Sequence, residues 1–162
     1  MSPDNPLVLR LTFLARVVFK ESQHLQLTDS GIFSAPMTQE RLAGLASDPT
    51  LAEKLDAFVA RFGRLQDTLG DKLIPALLQA LAEQPGAAID NFDKAEKFGW
   101  IESVDRWLEM RRLRNQMVHE YIEDVAILSS ALRGGHEFVP SLVFTAQQCV
   151  AKVEAVLKYD GL

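Results

Sequence analysis

Apolar positions recur along this chain at steps of three and four, the spacing of one helix face. Leu7, Leu11, Leu14, Val18 and Leu25 make the first stripe. Residues 1–5 read as a loose lead-in, and Pro6 suits a first helical turn. The helix is expected to stop near Leu27, because Thr28-Asp29-Ser30-Gly31 is turn chemistry. His24, close to that end, reads as a surface or cap histidine. Residues 30–37 read as a loop, followed by a short helix over 38–46 with Thr38 as N-cap. Asp48-Pro49 restarts the chain with an acidic cap and a proline in the first turn. The longest pattern is Leu51, Leu55, Phe58, Phe62, Leu65 and Leu69, which is bundle spacing. Pro75 falls inside it, predicting a kink over 71–75, and Gln84-Pro85-Gly86 closes it.

A shorter amphipathic helix is predicted over 88–98 with Ile89, Phe92 and Phe98 inward, stopped by Gly99. Ser103 caps the next helix, to which Val104, Trp107, Leu108 and the run 110–113 supply apolar contacts. Asp124 caps a short helix over 125–133, which Gly134-Gly135 is expected to end, leaving His136 in an exposed loop. The last helix runs from about 140 to 158, burying Leu142, Val143, Ala146, Val150, Val153 and Leu157. No segment alternates as a strand would. The fold expected is all-α, an antiparallel four-helix bundle with additional short helices, in one domain spanning 1–162.

Composition narrows the class. A chain of 162 residues with 48% apolar and 24% charged residues has the make-up of a soluble domain with a real core. Its longest apolar stretch, 7–19, is interrupted by Arg10 and Arg16 and lacks a signal-cleavage pattern, so no membrane segment is expected. Cys149 is the single cysteine; it cannot form an internal disulfide, suits a cytoplasmic location, and reads as a small packed hydrophobe. Net charge is −5, whereas general nucleic-acid binders are usually basic. RNA binding would therefore rest on a local patch, and Arg106, Arg111, Arg112 and Arg114 form the best one in the chain. The same residues also fit a solvated face whose charges pair with Asp105 and Glu109. There is no Walker loop, no Gly-x-Gly-x-x-Gly and no Cys/His zinc spacing. His119 and Glu123 have i,i+4 ligand spacing, but two ligands do not make a metal site, so neither metal nor cofactor is expected.

The densest chemistry lies in Arg114-Asn115-Gln116-Met117-Val118-His119-Glu120-Tyr121. This segment resembles the signature of the HEPN superfamily: Arg, a polar residue, then His after a short gap. Tyr121, two places beyond His119, narrows the likeness to the HepT-like branch, with its Arg-x4-His-x-Tyr pattern, and to related substrate-binding partners of small nucleotidyltransferases. The resemblance is specific at 114–121 and looser from 51 to the C-terminus. It implies a helical bundle that pairs as a homodimer, cleaves RNA without metal through Arg114 and His119, and is the toxin of a pair whose antitoxin is a small nucleotidyltransferase. It also implies that Tyr121 accepts AMP from that partner. The alternative is a non-catalytic, substrate- or nucleotide-binding subunit of such an enzyme.

The residues allow this chemistry. Imidazole titrates near neutrality, so His119 can act as general acid or base. Arg114 stays charged and can clamp phosphate, and Asn115 can orient His119 or bind phosphate. At about 100° per residue, Arg114 and His119 point about 140° apart on one helix. A long arginine side chain, a helix distortion or a second copy of the chain would bring them together, and a two-fold dimer with both His119 side chains on one groove is expected. Blander roles stay open: His119 bonding a carbonyl, Arg114 pairing with Glu109 or Glu120, and Tyr121 anchoring a helix end.

Overall fold

The first helix, α1 (Pro6–Ile32), starts as expected: the Asn5 side chain accepts from the Leu7 N–H at 2.8 Å and Pro6 occupies the first turn. It does not stop at Leu27. The Thr28 hydroxyl donates back to the His24 carbonyl at 3.1 Å, and Ile32 is fully buried, so one more turn reaches the core. Turn chemistry gives way here to burial. The computed structural model describes residues 2–119 and 123–159.

Then follow α2 (Gln39–Ala43), a 3₁₀ turn (Leu45–Ser47), and α3 (Pro49–Asp67). Thr38 and Asp48 cap α2 and α3 as the sequence implies, by accepting from the N–H groups of Arg41 and Leu51. The break expected near Pro75 takes the form of a π-helical stretch, Thr68–Leu73, which leads into α4 (Ile74–Ala80). Pro75 has no N–H and would crowd the carbonyl four residues back; a wider turn before it relieves both conditions without ending the helix.

Next, α5 (Ala88–Lys97) buries Asn91, Phe92 and Ala95. Ile89 and Phe98, expected inward, are each 45% exposed. The Asn91 amide accepts from the Gly86 N–H at 2.8 Å and donates to the Gly86 carbonyl at 3.2 Å, which turns that face toward the bundle. Trp100 takes the buried place expected of Phe98, and the two rings stack at 5.0 Å. Gly99 ends α5 at φ +76°, a conformation in which a Cβ is strained.

Two further helices complete the bundle, α6 (Val104–His119) and α7 (Val125–Tyr159). Asp124 caps α7 by accepting from the Ala126 and Ile127 N–H groups. Gly134-Gly135 does not end a helix: α7 runs unbroken through both glycines and through Pro140, and His136 is helical. These glycines serve packing. A Cβ on Gly134 would lie 3.0 Å from Leu113 Cδ2, and one on Gly135 3.3 Å from Met117 Sδ. His136 is fixed as well: its Nδ1 is 2.7 Å from Asp29 Oδ1, and its ring stacks on Phe33 at 4.2 Å.

Cross-helix contacts give each neighbour's direction. Between α1 and the α3 side, Arg61 donates to the Thr28 hydroxyl and Thr68 donates to Glu21 Oε1 at 3.2 Å. Between α3 and α6, Gly63 faces Arg114 while Gly70 faces Trp107. Between α6 and α7, Arg106 donates to Ser141 at 3.0 Å while Met117 meets Gly135. Between α7 and α1, His136 meets Asp29, while Val153 and Leu157 share a groove with Thr12. In every pair the numbers run in opposite senses, so α1, α3, α6 and α7 form an antiparallel ring around one core. Leu11, Leu25, Leu55, Phe58, Phe62 and Trp107 are among its almost fully buried side chains. Each contributes about 1.5–3 kcal/mol of burial. Cys149 lies inside, and burial pushes its thiol up to about 12, so it is no nucleophile at neutral pH. Among the described residues no helix is long and apolar enough to cross a membrane.

Glu21 carries a penalty within this packing. Burial raises its carboxyl above the ordinary range, against the Thr68 hydroxyl and the charges of Arg64 and Lys72, which lower it. The protonated form is therefore favoured in the fold. That favourable term is complete below glutamate's ordinary 4.5 and is lost as pH rises through the raised value. Glu21→Gln is expected to raise the melting temperature at pH 7 and to leave it unchanged near pH 4, read by thermal melts across that range.

Candidate functional site

The site begins with how α6 is held. Ser103 accepts from the Arg106 N–H at 3.1 Å and fixes the helix start. Trp107, Met110, Leu113 and Met117 are buried, a three-three-four stripe that fixes its rotation. The remaining surface carries the polar groups. Arg111, Arg112, Asn115, Val118 and His119 are exposed, and Arg114 lies at the edge of the buried stripe.

Arg114 reaches sideways onto α3. Its Nη2 donates to Asp67 Oδ2 at 3.0 Å. The chain between lies flat over Gly63: a Cβ there would be 3.0 Å from Arg114 Nε and 3.4 Å from its Cγ. Beside this pair opens a cleft of about 560 Å³, lined by Asp56, Val59, Ala60, Gly63, Arg64, Asp67, Arg114, Met117 and Val118. Its formal charges balance, with Arg64 and Arg114 against Asp56 and Asp67. Neither Asn115 nor His119 is among its lining residues. His119 is the last described residue of α6 and is exposed; Asn115 stands one turn earlier. One copy of the chain thus keeps the Arg114 cleft separate from the Asn115/His119 face. Tyr121, the residue expected to be modified, and Glu120, one expected partner of Arg114, lie outside the described residues.

The basic patch is largely engaged. Arg106 donates to the Ser141 hydroxyl at 3.0 Å, pairs with Glu102 at 3.0 Å, and sits 4.7 Å over the Phe138 ring. Arg111 lies 5.8 Å over Phe92. The Arg112 Nε donates to Glu109 at 2.9 Å, and this bond holds the Glu109 carboxyl below the usual range. Among the described residues, no cluster of three or more His, Cys, Asp or Glu is placed to hold a metal.

Sequence reasoning missed Gly63 and Asp67. Both lie in α3, four apart and on one face. A signal existed: glycine inside an exposed helix costs about 1 kcal/mol relative to alanine, so its presence in a strong helical pattern marks a close approach. Nothing in the pattern gave the partner.

Arg114 and Asp67 side chains are 36% and 46% exposed, so water screens the pair. Coupling between Arg114→Ala and Asp67→Ala in a double-mutant cycle of unfolding free energy is expected at about 0.5 kcal/mol. It should shrink toward zero in about 1 M salt, where screening acts over roughly 3 Å. A coupling of several kcal/mol would mean a structural anchor instead.

No protein-family model, curated protein or solved structure matches this chain.

Proposed function

We propose that this chain is a metal-independent endoribonuclease, the toxin of a pair in which a small nucleotidyltransferase is the antitoxin. The observation that carries the reading is the placement of the Arg-x4-His segment. It lies in the last described turns of α6 in an antiparallel bundle, with Arg114 on an open cleft and His119 exposed.

In the reaction the RNA 2′-oxygen attacks the adjacent phosphorus and the 5′-oxygen leaves, giving a 2′,3′-cyclic phosphate and a 5′-hydroxyl. DNA lacks the attacking group. His119 takes the 2′ proton or delivers one to the leaving oxygen. Arg114 holds the phosphate and offsets charge on the five-coordinate phosphorus. Asn115, one turn before His119, orients the imidazole or binds phosphate. Arg114 and His119 serve different surfaces of one copy, so a two-fold dimer supplies the missing group by bringing a second motif to the same groove. Exposed Arg111 and Arg112 line the approach for RNA, and Arg106 holds α6 against α7 beside them.

A second reading, a non-catalytic substrate- or nucleotide-binding subunit of a small nucleotidyltransferase, is favoured by one observation: Arg114 already has a carboxylate partner in Asp67. An arginine so neutralised attracts phosphate less strongly.

Purified protein treated with EDTA is expected to cleave a long RNA. His119→Ala is expected to lower the rate about 10²–10⁴-fold. Arg114→Ala should lower it about 10²–10³-fold. Both variants should keep the wild-type circular dichroism spectrum. No cleavage by wild-type protein, or equal cleavage by both variants, would favour the binding subunit.

Control is proposed at Tyr121. A phenol is almost wholly protonated at neutral pH and is a weak nucleophile there. The partner therefore supplies a base and metal-bound ATP; the phenolic oxygen bonds to the α-phosphorus and pyrophosphate leaves. The added phosphate competes with RNA for the cationic groups of the site. Incubation with the cognate nucleotidyltransferase and ATP is expected to give an AMP adduct mapped by mass spectrometry to Tyr121 and absent from Tyr121→Phe. An unmodified chain that nevertheless binds the partner tightly would rule this control out.

A further inference from the structure

We infer that Asp67 and Gly63 are positioning residues for Arg114: together they fix its guanidinium at the α3–α6 cleft in the orientation that presents its remaining N–H groups to an RNA phosphate. The inference rests on the ribonuclease reading and names residues that the Arg-x4-His segment does not contain.

Three observations carry it. A guanidinium has five N–H donors, and the structure gives Asp67 one bond, from Nη2 at 3.0 Å. Among the described residues no other acceptor is bonded to the guanidinium, which leaves Nε and Nη1 for a phosphate. Gly63 then sets the height of the side chain, since a Cβ would stand 3.0 Å from Nε and push the fork away from α3. Finally, Asp67 and Gly63 lie one turn apart on the same stripe of α3, so one helix supplies both the floor and the anchor. A lone arginine at a helix edge samples many rotamers, and holding one beforehand removes that ordering from the reaction step.

Positioning differs from two other roles for Asp67. If the carboxylate only competed with phosphate for Arg114, removing it would tighten RNA binding and lower KM. If it only tied α3 to α6, removing it would lower the melting temperature and leave kcat in folded protein intact. A positioning group, lost, lowers kcat and leaves KM nearly unchanged, because the misoriented cation fails where charge develops.

The experiment measures kcat and KM on one RNA for wild type, Asp67→Ala, Asp67→Asn and Gly63→Ala, together with the Arg114 Nε–Hε NMR signal of each. Asp67→Ala is expected to lower kcat about 2–5-fold, the range a screened ion pair can supply, and Gly63→Ala at least as much, with KM unchanged in both. Asp67→Asn keeps an oxygen acceptor and should recover part of the loss. The Arg114 signal should be dispersed in wild type and fall to the free-arginine position in both alanine variants. Unchanged kcat, or a lower KM in Asp67→Ala, would overturn the inference. If wild-type protein does not cleave RNA, the ribonuclease reading fails by itself. The NMR signal still decides the orientation: a free-arginine position in wild type refutes it, and a dispersed signal lost in the alanine variants upholds it.

Discussion

The structure depends on how closely two helices can approach α6. Among the described glycines, Gly63 and Gly70 of α3 and the π turn, and Gly134 and Gly135 of α7, are those at which a Cβ would stand 3.0–3.3 Å from a side chain. All four face α6, opposite Arg114, Trp107, Leu113 and Met117 respectively. α6 is rich in charge and buries only four side chains. It cannot hold its place by apolar area alone, so the two helices beside it are thinned to let large side chains sink in. Glycine inside a helix carries an entropic cost. Here packing offsets it, since a filled interior gains dispersion contacts that a gap loses.

The same contacts explain what the sequence made legible. The all-helical class, the caps at Thr38, Asp48 and Ser103, and the stop at Gly99 follow from local rules, because each involves residues a few positions apart. The misread points were decided by distant partners. Thr28-Asp29-Ser30-Gly31 stays helical because Ile32 reaches the core and His136 meets Asp29. Gly134-Gly135 stays helical because Leu113 and Met117 occupy the space that a side chain would fill. Local glycine, read alone, signals a stop; read against a neighbour, it signals proximity. Of the candidate site, the Arg114–His119 segment was legible as a motif. The Asp67 partner, 47 positions away in sequence, was not.

Electrostatics follows the same logic. The net charge of −5 leaves no general attraction for a polyanion. The arginines of α6 divide by neighbour: Arg106 braces α7, Arg112 pairs along its own helix, and Arg114 crosses to α3. A ligand phosphate reaching Arg114 meets a cation whose orientation Asp67 already holds. Recognition by a cation held in place depends more on geometry than on charge count.

The π-helical stretch Thr68–Leu73 has a consequence for how the long segment is shared between neighbours. A π turn winds more slowly than an α turn, so a few residues of it lag by about 100°, the rotation of one extra residue. The apolar stripe of α3 therefore does not continue straight into α4. The chain steps its inner face sideways, so that α3 serves α1, α6 and α7 while α4, beyond the step, packs on α1, α5 and α7. One residue of chain length is here stored as a rotation, and shortening this stretch by one residue would turn the buried face of α4 as a block.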